Sequence, residues 1–81
     1  MTKEILITKP NGLKAEDCAL IAHASSGFKS QVFIIKGSKK VNAKSVIGII
    51  SLNIKHGETI YLTVSGEDED IASKKLLELI N

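Results

Sequence analysis

VNAKSVIGIISL, residues 41–52, reads as the end of a strand, a serine cap and a short helix that is apolar nearly all the way round. Ser45 decides the reading. A serine just ahead of an apolar run is a favoured N-cap, because its hydroxyl accepts from the free N–H groups of the first helical turn. With the helix starting after Ser45, Val46, Ile49 and Leu52 recur at core-facing spacing. Ile47, Ile50 and Ile54 fall on the other side. A small domain has no use for two buried faces on one short helix, so the second set is expected outside, as an apolar patch for a partner.

Working outward, the flanking segments resolve into alternating strands and helices. Glu4–Thr8 is a strand with Ile5 and Ile7 on one face and Leu6 on the other. Lys9-Pro10-Asn11-Gly12 is turn chemistry. Leu13–Ser26 reads as a helix closed by Gly27, with acids Glu16 and Asp17 in the first turn where the helix dipole favours them. Its inner face is Cys18, Ile21, Ala22 and Ser25, and Glu16, Ala19, Leu20 and His23 look outward. Ser30–Lys36 is a second strand, with Val32 and Ile34 inward and Phe33 and Ile35 opposite. A Gly37-Ser38 turn joins it to Lys40–Asn42. Thr59–Ser65 alternates most cleanly, with Ile60, Leu62 and Val64 inside and Tyr61 and Thr63 outside. Gly66 and the acidic run Glu67–Asp70 open a last helix with Ala72, Leu76 and Leu79 at helical spacing, widened by Leu77 and Ile80. The order β-α-β-β-α-β-α predicts an α+β open-faced sandwich, a four-stranded antiparallel sheet with three helices on one face.

Composition narrows the function classes. The 81 residues suit one domain, 1–81, and 43% hydrophobic content suits a folded chain. A formal charge of +2, with all 11 basic residues lysine, gives neither the basic stripe nor the guanidinium fork of a nucleic-acid reader. One cysteine, Cys18, leaves no internal disulfide and no cysteine metal cluster. No apolar run approaches the ~20 residues that cross a bilayer. MTKEILITKP has no signal-peptide core or small-residue cleavage site, so the cytoplasm is the expected compartment. No metal-ligand spacing, phosphate-binding loop or serine–histidine–aspartate set is present, and neither cofactor nor enzymatic chemistry is expected.

PNGL at Pro10–Leu13, AKS at Ala43–Ser45 and SGEDE at Ser65–Glu69, in this order of elements, resemble the HPr family of the bacterial sugar phosphotransferase system, and the resemblance spans the chain. It implies a first loop of the form P-x-G-[LI]-H-[AT]-R-P, whose histidine carries a phosphoryl group from enzyme I to sugar-specific proteins. Aligned on Pro10–Leu13, the histidine position is Lys14, the arginine position Glu16 and the proline position Asp17. A protonated lysine has no lone pair to attack phosphorus. Two acids replace a phosphate-binding fork with acceptors. Glu16 and Asp17 also read simply as helix-capping acids. No catalytic residue is therefore expected. His23 lies roughly 10 Å along the helix from its N-terminus. His56 sits beside Gly57 without a carboxylate to serve it. Cys18 reads as a small buried hydrophobe more readily than as a thiolate.

The resemblance also makes Ser45 the family's regulatory serine, the target of an ATP-dependent serine kinase/phosphorylase. A plain N-cap explains the same residue. Lys40 and Lys44 stand near in sequence as screening charges. The implied role is Crh-like, a regulatory or adaptor module in carbon catabolite control. Its partner-binding residues would be Leu13, Ala19, Leu20, His23, Val46, Ile47 and Ile50. Its partners would be the serine kinase, a transcriptional repressor or phosphotransferase-system proteins. Two other readings stay open: a phosphocarrier with a different nucleophile, and a binding module with no phosphorylation. Phe33, Ile35 and Tyr61 could form either an open sheet face or a dimer contact.

Overall fold

The strand Thr59–Ser65 keeps its alternation to the letter: Ile60, Leu62 and Val64 are fully buried, Tyr61 exposed and Thr63 half-buried. A computed structural model describes the chain from Met1 to Asn81. In chain order its elements are β1 (Thr2–Leu6), α1 (Ala15–Ser26), β2 (Gln31–Lys36), β3 (Lys39–Asn42), α2 (Val46–Ser51), β4 (Thr59–Ser65) and α3 (Glu69–Ile80). The sheet runs β1-β4-β2-β3, antiparallel throughout. Ile5 faces Ile60, Val32 faces Val64 and Ile34 faces Leu62. These buried strand residues join Cys18, Ile21 and Ala22 of α1, Ile49 of α2, and Ala72, Leu76 and Ile80 of α3 in one core. The helices therefore cover a single face, with α1 packed between α2 and α3. Leu6, Phe33, Ile35 and Tyr61 belong to the uncovered face, where the Lys40 ammonium lies 4.5 Å from the centre of the Phe33 ring.

Several expected boundaries shift. β1 begins at Thr2 and ends at Leu6, before Ile7, yet Ile7 stays fully buried and exchanges hydrogen bonds with Gly57 and Glu58. α1 starts at Ala15, because Leu13 is drawn into the core and its N–H donates to the Ile54 carbonyl at 3.0 Å. Gly27 ends α1 in the ordinary right-handed conformation, φ −78°, so its value there is not left-handed freedom. On α2 the two outermost assignments reverse: Val46 is 37% exposed and Ile54 4%. The helix stops at Ser51, and Asn53 turns to φ +48°, which swings Ile54 back under the sheet. Gly12 marks where this returning chain presses on the first loop. Its φ is +68°, and a Cβ there would lie 2.5 Å from the Ile54 carbonyl oxygen.

Candidate functional site

Ser45 sits at the N-cap of α2 with extended backbone, φ −105° and ψ 114°. Its Oγ accepts from the Gly48 N–H at 3.0 Å. Six residues are too few for a helix that stands on its own propensity, so α2 is held from outside at both ends. Ile49 and Leu52 anchor it in the core. At its far end the Lys36 ammonium of β2 donates to the carbonyls of Leu52 at 2.8 Å and Asn53 at 2.9 Å, with Glu58 3.0 Å away as counter-ion. That clamp fills the acceptors a helix end leaves open.

Beyond Ser45 the exposed side of α2 is apolar and uncharged. Ile47 is 81% exposed and Ile50 45%, and the segment from Ser45 to Ile54 has no charged side chain. Across the α1–α2 contact, Ala19, Leu20 and His23 are exposed on α1, with Leu20 at 57%. Six of the seven expected partner-facing residues are therefore on the surface. Leu13 is not: at 9% exposure it belongs to the core, and no partner can reach its side chain without opening the first loop. Lys40 and Lys44 each make another contact. Lys40 is over Phe33 on the open sheet face, and Lys44 donates to the Phe28 carbonyl at 3.2 Å.

The α1 N-terminus is occupied by the chain's own acid. The Asp17 carboxylate accepts from the Lys14 N–H at 2.9 Å and pairs with the Lys9 ammonium at 3.1 Å. The Lys14 amide bond holds its carboxyl below the ordinary range against a smaller desolvation cost, with Lys9 assisting. Glu16 is exposed and has no ion-pair partner. The Cys18 thiol is buried, and burial, helped by the Asp17 charge, raises its pKa. Burial and the raised pKa both disfavour the thiolate. His56 turns Nδ1 to the Lys9 carbonyl at 3.1 Å. His23 stays exposed on α1. No group of three His, Cys, Asp or Glu side chains is placed to hold a metal.

Sequence reasoning passed over two fixtures. Asp68 accepts from the Lys29 N–H at 2.8 Å, from the Ser30 N–H at 2.9 Å and from the Ser30 hydroxyl, tying the loop after α1 to the start of α3. These bonds, the Ser30 hydroxyl foremost, hold its carboxyl below the ordinary range. Lys36 was readable only as a strand end, since its three acceptors come from distant chain.

The chain matches, over residues 1–81, the family model described as "PTS HPr component phosphorylation site". The HPr-like protein Crh of Halalkalibacterium halodurans is 41% identical over 78 residues, covering 96% of this chain and 93% of its own. A phosphocarrier protein HPr from Bacillus anthracis superposes with a TM-score of 0.93 at 36% identity, over 100% of this chain and 96% of that one. HPr-C-His from Thermoanaerobacter tengcongensis superposes with a TM-score of 0.91 at 41% identity, over 99% and 90% of the two chains. No helix is long and apolar enough to cross a membrane. The chain belongs to the HPr family, phosphocarriers and HPr-like regulators of the phosphotransferase system and catabolite control.

Proposed function

We propose that this protein is a regulatory module of the Crh kind, switched by phosphorylation of Ser45 and read by a protein that docks on Leu20, Val46, Ile47 and Ile50. The observation that carries the reading is an exposed serine at the head of a short helix whose outer side is apolar and uncharged. Such a patch is expected to meet protein. The loop after β1 argues against phosphocarrier work. The position aligned with the family histidine holds Lys14, Glu16 adds a free negative charge, and the Asp17 carboxylate already fills the helix end. In the cytoplasm its partners would be an ATP-dependent serine kinase and a transcriptional repressor.

The test is intact mass after two incubations, one with ATP and an HPr serine kinase, one with phosphoenolpyruvate and enzyme I. The expected result is a single added phosphate in the kinase arm, absent from Ser45→Ala, and none in the enzyme I arm. A phosphate in the enzyme I arm overturns the reading in favour of a carrier. None in either arm, with both enzymes active on a known HPr, overturns it in favour of a binding module.

A further inference from the structure

Gly48 stands in the middle of α2, where glycine weakens a helix through its backbone freedom. Its φ is not in the left-handed region, so conformation does not require it. Space does. A Cβ at this position would lie 3.2 Å from Ser45 Oγ, 3.3 Å from Ser45 Cβ and 3.4 Å from Val41 Cβ. The two separations to Ser45 are tighter than ordinary contact, the one to Val41 is ordinary contact, and Ser45 must give way by a few tenths of an ångström. Val41 is paired with Ile34 across β2–β3 and packs against the core. Ser45 is exposed and turns about one bond. The methyl of an alanine would therefore displace the serine, turning Oγ about that bond and pushing Cβ back with its backbone.

The same serine oxygen takes its hydrogen bond from the Gly48 N–H. On the other side of this residue, the Ser51 hydroxyl donates to the Gly48 carbonyl at 2.6 Å. Gly48 thus supplies the donor that holds the Ser45 hydroxyl and the room in which that hydroxyl lies. We infer that Gly48 is a positioning residue for Ser45, and that its missing side chain sets the direction from which the hydroxyl can be phosphorylated. The second half of this inference rests on the reading of Ser45 as a modified residue.

The chemistry explains why direction matters. In phosphorylation Ser45 Oγ forms a bond to the γ-phosphorus of ATP. The bond from that phosphorus to the β–γ bridging oxygen breaks, its electron pair leaves with ADP, and the hydroxyl proton passes to a base on the kinase. A hydroxyl has two lone pairs. The Gly48 N–H engages one, so the other is held facing outward for the attack. Turning the side chain away from Gly48 loses this alignment, and in-line displacement is sensitive to misplacement of about 1 Å.

The experiment compares ¹⁵N-labelled wild type, Gly48→Ala and Ser45→Ala. Amide hydrogen exchange at residue 48 is expected to be slow in wild type. In Gly48→Ala it should be as fast as in Ser45→Ala, although the melting temperature of Gly48→Ala stays near wild type, because the gain in helix propensity offsets the lost cap. With ATP and an HPr serine kinase, kcat for Gly48→Ala should fall about tenfold or more while KM holds, since the docking residues are untouched. An amide as protected in Gly48→Ala as in wild type overturns the positioning role. An unchanged kcat, on a wild type that takes phosphate, overturns its consequence. A wild type that takes none sinks the proposed function instead, and the exchange result still decides for or against Gly48.

Discussion

The Lys36 ammonium lies 2.8 Å from the Leu52 carbonyl oxygen, so a residue of the central sheet closes the end of the helix that carries the exposed patch. Sixteen positions separate the two in sequence. The bond, with its neighbour to Asn53, lets a helix of six residues keep a fixed orientation beside α1.

Lys36→Met keeps the length of the side chain and removes these donors. It should cost about 1–2 kcal/mol, the worth of charge-assisted bonds at a partly exposed site. For a chain of this size that is a fall in melting temperature of roughly 4–15 °C. Thermal denaturation by circular dichroism measures it, and a variant as stable as wild type would mean the clamp is ornamental.

Acid should loosen the tie between the loop after α1 and the start of α3. Asp68 has its carboxyl held below the ordinary value by hydrogen bonds, from the Ser30 hydroxyl first, and Asp17 and Glu58 have theirs held down by hydrogen bonds and nearby lysines. A lowered folded-state pKa contributes stability that is complete above the unfolded value, about 4, and is lost as pH falls through the folded value. Melting temperature should therefore be flat from neutral pH to about 5 and fall below about 4. Asp68→Asn should begin lower and show a shallower acid slope. Equal slopes in variant and wild type would assign the acid loss elsewhere.

The Cys18 thiol should resist a disulfide reagent while the chain is folded. It is buried and its pKa is raised, so reaction must wait for opening of the structure. A rate on the order of a hundredfold below that in denaturant is expected at neutral pH. Rapid labelling of the native protein would reopen the thiol as a nucleophile.

Placing a histidine at position 14 should not by itself make a phosphocarrier. In Lys14→His the imidazole would meet the Asp17 carboxylate at the helix end and the unpaired Glu16 beside it. Both repel an incoming phosphoryl group. Incubation with phosphoenolpyruvate and enzyme I should leave its mass unchanged, whereas robust phosphorylation would show that these charges are screened.

Ile47→Asp probes the patch. At 81% exposure the side chain contributes little to the fold, so the change should lie within about 0.5 kcal/mol of wild type. Binding of a docking protein should weaken by about tenfold or more. Calorimetric melting and titration with an HPr serine kinase measure the two effects. A melting temperature lowered by more than about 5 °C would place Ile47 in the core after all.

Much of this was legible in the chain. Alternation wrote β4 and β2 directly, because a half-covered strand must change sides at every residue. Ser45 announced α2 because a short hydroxyl before an apolar run has one strong use. What escaped detection depended on distant partners. Ile54 looked like an outward extension of the helix until Asn53 turned the chain under. Leu13 looked like a helix residue facing a partner until its N–H found the Ile54 carbonyl. Lys36 and Asp68 carry ordinary surface chemistry, and nothing local says that their acceptors and donors lie elsewhere. The candidate site was legible in its residues and not in its supports: the sequence places Gly48 inside the helix, and only the fold sets it against Ser45 Oγ.

The strand order carries a consequence for synthesis. β4 lies between β1 and β2, with Thr2 opposite Thr63 and Gln31 opposite Ser65. Until the ribosome has delivered Thr59–Ser65, β1 has no neighbour and the β2–β3 hairpin is half a sheet. A lone hairpin is marginal in water. The sheet can therefore close only after β4 has been delivered, and until then the apolar faces of β1 and β2 depend on speed, or on a chaperone, for protection.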